Sequence, residues 1–197
     1  MLKAINLGCE RDYRVLFEDL SFELEAGEIL RVLGSNGTGK TTLLRIICGL
    51  YQEYTGELHW ADGELQDYLY LGHAPGIKDH LSAEENLTWL MSLVSDTEPQ
   101  PVLIRQALAQ VGLTGFEDVQ CDSLSAGQRK RVNLARFAMS QHSLWIMDEP
   151  FSAIDTSGVD LLLSLMEGHL KQGRSLILTS HQEVDLPYTI RELRLGG

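Results

Sequence analysis

Residues Gly34-Ser35-Asn36-Gly37-Thr38-Gly39-Lys40-Thr41 have the spacing G-x-x-x-x-G-K-[ST], and the chemistry of that spacing is phosphate binding. Glycines let successive backbone N–H groups turn inward around phosphate oxygens. The lysine reaches the outer phosphates, and the threonine hydroxyl is a hard oxygen ligand suited to Mg²⁺. A second chemical feature is Asp148-Glu149, which closes the apolar run Leu144-Trp145-Ile146-Met147. Two adjacent carboxylates repel in a dry site unless a metal takes one of them. His181 follows another apolar run, Ser175 to Thr179; a histidine alone at such a place is more often an ordinary surface residue.

A phosphate-binding loop needs a strand before it and a helix after it, because the helix N-terminus adds partial positive charge. Both are legible. Ile29-Leu30-Arg31-Val32-Leu33 reads as a short strand ending at glycine. Leu43, Ile46, Ile47 and Leu50 recur with helical spacing for one buried face, and Gly49 stands near the helix end. The loop alone means nucleotide binding. Kinases, GTPases and transport ATPases share it.

The remaining elements frame these residues. Leu16 to Leu24 alternate as a half-buried strand, and 56–60 and 68–71 read as further short strands. Ser82 with Glu85 has the form of a capping box opening a helix over about 83–95; a second helix is expected over 102–111, with Asp96 to Pro101 between them. The apolar runs at 143–147 and 175–179 read as parallel strands covered on both faces. The reading is one α/β domain, with strands at both ends of the chain and a helical block between them.

Composition bounds the function. The chain has 197 residues, 44% of them hydrophobic, which suffices for a domain with its own core. A net charge of -12 argues against a nucleic-acid surface. Arg129-Lys130-Arg131 is a local basic triplet, expected to be a solvated helix face. The cysteines, Cys9, Cys48 and Cys121, are odd in number and lack metal-ligand spacing; Cys9 and Cys48 read as small core residues. No apolar run reaches the 18 residues of a spanning helix, and the N-terminus lacks a signal-peptide stretch. The expected place is the cytoplasm, with any membrane part supplied by a partner.

Four further segments carry a resemblance. Leu124-Ser125-Ala126-Gly127-Gln128 resembles the signature of the ABC ATPase family, L-S-G-G-Q, with Ala126 in place of one glycine. Leu144 to Glu149 resembles its Walker B strand, Ser152-Ala153-Ile154-Asp155 its D-loop, and Ser180-His181 its switch histidine. The resemblance spans about residues 2–195. It implies a P-loop NTPase fold: a RecA-like parallel-sheet core over about 1–72 and 141–197, an N-terminal antiparallel β-subdomain, and a helical subdomain over about 73–140.

The resemblance also implies roles. ATP would lie on Gly34, Ser35, Asn36, Gly37, Thr38, Gly39, Lys40, Thr41 and Thr42. Mg²⁺ would be held by Thr41 and Asp148. Glu149 would be the base that activates water, with His181 at the γ-phosphate. Ser125, Gly127 and Gln128 would cap the ATP of a second copy in a homodimer, with the D-loop coupling the two. The family stacks adenine on an aromatic residue upstream of the loop; Tyr13 is the nearest candidate, whereas a gapless count favours Arg11, whose guanidinium could stack instead. The family also carries a glutamine that senses Mg²⁺ and the membrane partner; a gapless count places His73 there, with Ala74 beside it.

The wording of Cys9 to Asp12, Gly72 to Lys78, Leu124 to Arg131 and Leu144 to Phe151 is similar to the ATPase subunits of bacterial cytochrome c maturation transporters. That similarity implies integral membrane permease subunits as partners and a peripheral position on the cytoplasmic face of the inner membrane. The work done would be haem export or release of a haem-loaded chaperone. The rival readings are an ABC transporter ATPase for another substrate, a soluble regulatory or repair ABC ATPase, and a P-loop kinase. Tandem ATP domains, coiled-coil inserts or basic surfaces would favour the regulatory class, and a phosphorylated product would favour the kinase.

Overall fold

The computed structural model describes residues 2–61, 67–74, 76–94 and 99–196. The chain divides into two units, one of Met1–His73, His142–Pro150 and Gly168–Gly197, the other of Ala74–Gln141 and Phe151–Glu167.

The first unit carries two sheets. β1 (Leu2–Arg11), β2 (Arg14–Leu24) and β4 (Thr55–Trp60) form an antiparallel sheet in the order β2-β1-β4. β3 (Ile29–Leu33), β5 (Tyr68–Leu71), β6 (Leu144–Asp148), β7 (Ser175–Thr179) and β8 (Ile190–Arg194) form a parallel sheet in the order β5-β6-β7-β3-β8. Every residue of β6 and β7 is buried, as the two apolar runs predict for strands covered on both faces. Helix α1 (Lys40–Ile47) supplies Leu43, Leu44, Ile46 and Ile47 to a core shared with Leu30, Val32, Ile146 and Ile177. Leu50 departs from the expected helical face. The helix closes at the Cys48 cap, Gly49 follows at φ 68, and Leu50 is 60% exposed. A glycine in the left-handed region ends the helix before the fourth apolar position is reached. Cys9 and Cys48 are buried, and so is Cys121 in the other unit; burial pushes the Cys48 thiol up to about 12.

The second unit contains α2 (Ala83–Ser92), α3 (Pro101–Gln110), a 3-10 turn at Cys121–Ser123 and α4 (Ala126–Met139). α2 begins with the capping box expected from Ser82 and Glu85: the Glu85 N–H donates to Ser82 Oγ and the Ser82 N–H donates to Glu85 Oε2. Residue 95 of the expected first helix and residues 96–98 of the expected separator lie outside the described residues, as does Pro75. α5 (Thr156–Leu170) follows the Ser152–Asp155 loop.

Candidate active site

The loop after β3 is built so that its glycines cannot be replaced freely. Gly39 sits at φ 96 as the N-cap of α1, where a Cβ would come within 2.9 Å of the Leu16 Cβ. Only glycine combines that backbone with so close an approach. The Lys40 ammonium crosses the mouth of the loop, donating to the carbonyls of Gly34 at 2.7 Å and Ser35 at 3.2 Å. Its position is therefore set by the loop itself.

Strand ends place the acidic residues beside it. β6 and β7 pair in parallel, with Asp148 opposite Thr179. The Thr179 hydroxyl donates to Asp148 Oδ1 at 2.8 Å and accepts the Glu149 N–H at 2.8 Å. The Thr41 hydroxyl, in the first turn of α1, donates to Asp148 Oδ2 at 2.7 Å. Both oxygens of this buried carboxylate are thus held by hydroxyls. Glu149 has φ 49, a left-handed backbone that a non-glycine residue adopts only under constraint. His181 Nε2 lies 3.4 Å from Glu149 Oε1 and 3.3 Å from Lys40 Nζ. Burial, and after it the Asp148 charge, push the Tyr70 hydroxyl up to about 12, so Tyr70 stays protonated near the carboxylate.

A cavity of about 570 Å³ joins these groups to the hairpin between β1 and β2. Asn36, Gly37, Gly39, Lys40, Thr41, Thr42, Asp148, Glu149 and His73 line it, and at the hairpin end Arg11, Asp12, Arg14 and Leu16 do so. Tyr13 is not among the lining residues. It stands at the hairpin tip with φ 60 and is fully exposed. Asp12, the other central residue of this turn at φ 52, does line the cavity, so at the hairpin the cavity meets Arg11, Asp12 and Arg14, while the Tyr13 ring stands in solvent.

Among the described residues no group of three or more His, Cys, Asp or Glu could hold a metal by itself. The Thr41 hydroxyl and Asp148 carboxylate are hard oxygen donors beside the phosphate loop. Two protein ligands, with phosphate oxygens and water for the rest, suit Mg²⁺ arriving with a nucleotide.

In the second unit, Ser125 caps α4. Its Oγ accepts the Gln128 N–H at 3.2 Å, and its own N–H donates to Gln128 Oε1 at 2.9 Å. Ser125 and Gln128 are thus explained locally as a capping box. Ser125 remains exposed, at a helix N-terminus suited to an anion.

Loop, acidic pair and histidine thus converge as the sequence suggests. Residues 17–152 match the family model described as ABC transporter. The chain belongs to the ABC transporter family. It is of the ATP-hydrolysing kind. Two curated relatives are a cytochrome c biogenesis ATP-binding export protein CcmA from Vibrio cholerae, 48% identical and covering 100% of this chain and 99% of that protein, and one of the same description from Saccharophagus degradans, 48% identical over 92% of this chain and 87% of that protein. An ABC transporter ATP-binding protein of Pyrococcus furiosus has the same fold with a TM-score of 0.83, at 25% identity over 98% of this chain and 96% of that one. A dimeric ATP-binding cassette with ADP and phosphate bound gives a TM-score of 0.82 at 19% identity, covering 100% of this chain and 97% of that one, which is a likeness of fold. No helix among the described residues is long and apolar enough to cross a membrane.

Thr179 lies in none of the sequence motifs, yet it holds both Asp148 and the Glu149 backbone. Its signal was available: it is the one polar residue closing an otherwise apolar strand interior.

Proposed function

We propose that this chain is the energy-coupling ATPase subunit of a transporter for c-type cytochrome biogenesis, peripheral on the cytoplasmic face of a bacterial inner membrane. The observation that carries the ATPase reading is the joint placement of Thr41, Thr179 and Glu149 around one buried Asp148, in front of the Lys40 loop. The names of the relatives support the cytochrome assignment.

ATP binds with its phosphates against Gly34 to Thr42 and its base toward the Arg11 end of the cavity. Thr41 and Asp148 would hold Mg²⁺, which when bound would neutralise charge on the phosphates. Glu149 accepts a proton from the attacking water, which forms the new P–O bond as the bond to ADP breaks. His181, beside Glu149, donates toward the γ-phosphate. Two copies act as a pair, Ser125, Gly127 and Gln128 of each meeting the ATP of the other. Closure is passed to integral membrane permease subunits, with His73 as the residue of this cavity nearest in sequence to the helical unit.

The assignment is tested by affinity purification of the full chain from detergent-solubilised membranes. Integral membrane proteins of cytochrome maturation are the expected companions. Purification with a different permease would redirect the substrate, and purification without any membrane protein would favour the regulatory class.

A further inference from the structure

The Arg129-Lys130-Arg131 triplet is not the solvated face its sequence suggests. Each member hydrogen-bonds within its own unit, Arg129 to the turn before α4, and Lys130 and Arg131 to the segment 152–157. Arg129 donates to the Cys121 carbonyl in the turn that leads into Ser125. Lys130 Nζ donates to the Ser152 carbonyl at 2.6 Å and to Ser152 Oγ at 2.9 Å. Arg131, with a side chain only 14% exposed, donates through Nη2 to Asp155 Oδ1 and, at 2.8 Å, to Ser157 Oγ.

These contacts bracket a constrained loop. Ala153 sits at φ 58, left-handed for a residue with a Cβ, and such a backbone persists only where its surroundings hold it. Lys130 holds the residue before it. Arg131 holds Asp155, which also accepts the Gly158 N–H at 3.0 Å and so caps α5. The Arg131 hydrogen bond, then the Gly158 one, keep the Asp155 carboxyl below its ordinary value. The packing is close as well: a Cβ added at Gly127 would lie 3.4 Å from the Ala153 carbonyl oxygen. The Asp155 side chain is 68% exposed, so the ion pair adds little to stability. Its geometric effect is what remains.

We propose that Lys130 and Arg131 are positioning residues for ATP turnover: they fix the Ser152–Asp155 loop on the first turns of α4, so that this loop and Ser125–Gln128 move as one piece. The inference rests on the paired-subunit reading, in which both segments face the second copy. Loosening the clamp lets one segment engage without the other. The cost falls on turnover and on cooperativity, while the first binding of ATP, on the Lys40 loop, is untouched.

The test uses the full chain, with steady-state ATPase measured across ATP and protein concentration for wild type, Lys130→Met, Lys130→Arg and Arg131→Gln. The expected result is a kcat lowered roughly tenfold or more in Lys130→Met and Arg131→Gln, the scale of a lost charge-assisted hydrogen bond, with KM within about twofold and a Hill coefficient falling toward 1. Lys130→Arg, which keeps a cationic donor, should recover most of the rate. Folded Lys130→Met and Arg131→Gln with wild-type kcat and Hill coefficient would overturn the clamp alone. Should Arg131→Gln fail to fold, Lys130→Met at its half-buried position decides the matter. A wild-type rate per molecule that is independent of protein concentration and hyperbolic in ATP would overturn the pairing and the clamp with it.

Discussion

Thr41 and Asp148, 107 residues apart in sequence, are joined by a 2.7 Å hydrogen bond from the threonine hydroxyl to Oδ2. The bond ties the first turn of α1 to the end of β6, and with them the phosphate loop to the acidic pair. It also presents two oxygens to the same small volume, where a Mg²⁺ carried by ATP would be held. Asp148→Asn keeps the shape and removes the charge. The expected outcome is that nucleotide affinity in Mg²⁺ falls to about its value in EDTA, whereas the wild type binds more tightly with Mg²⁺. Titration calorimetry with and without the ion checks this.

Thr179 is the opposite side of that support. Thr179→Val conserves shape but strips the hydroxyl, leaving Asp148 Oδ1 and the Glu149 N–H without the partner they now share. Unsatisfied buried groups cost about 1–3 kcal/mol each, more when charged. A loss of about 2–4 kcal/mol in urea unfolding is expected, together with a lower kcat, because Glu149 is held at φ 49 partly through this bond. Unchanged stability would mean that water replaces the hydroxyl.

The hairpin end of the cavity separates two candidates. Arg11 lines it and Tyr13 does not. Arg11→Ala should weaken ATP binding by roughly three- to thirtyfold, the range of a cation–π contact, and Tyr13→Ala should leave it within about twofold. A fluorescent ATP analogue displaced by ATP measures both. The reverse order would return the base to Tyr13.

Stability should also depend on pH through one histidine. His169 is 2% exposed and stacks on Trp145 with ring centroids 3.9 Å apart. Its Nε2 faces the Ser175 carbonyl at 3.0 Å, and its buried Nδ1 has no hydrogen-bond partner among the described residues. Nε2 therefore carries the proton, and a second proton on Nδ1 would be buried without an acceptor. Burial accordingly pushes the pKa down from 6.5 to about 4. The unfolded chain takes up a proton first, so the full contribution is present above about pH 6.5 and is lost as pH falls toward 4. Between pH 6.5 and 5 the loss is about 2 kcal/mol. His169→Gln should flatten that part of the profile, followed by urea unfolding with tryptophan fluorescence. An unchanged slope would place the titration elsewhere.

Much of the site was legible in the sequence because its signals are local. Gly34 to Thr41 fixes a strand, a turn and a helix start within one short segment, and Ser82 with Glu85 fixes a helix start through neighbours three residues apart. What was hidden depends on contacts distant in sequence or on backbone angles. Leu50 has helical spacing but lies beyond a left-handed Gly49. Tyr13 is the nearer aromatic, but at the hairpin tip it is fully exposed and stands clear of the cavity. The basic triplet has the composition of a solvated face, and it is the return of Ser152 to Ser157 onto α4 that gives Lys130 and Arg131 these partners. Thr179 reads as a strand residue until β7 is placed beside β6.

The central claim is that the Asp148 constellation holds a water-activating Glu149 in an ATPase. Glu149→Gln removes the base and keeps the volume. Single-turnover hydrolysis of Mg-ATP by the full chain, measured beside equilibrium ATP binding, tests it most directly. The expected rate is lower by about 10²–10⁴-fold, the usual worth of a general base, with ATP affinity retained. A variant that binds ATP and hydrolyses it at the wild-type rate would contradict it.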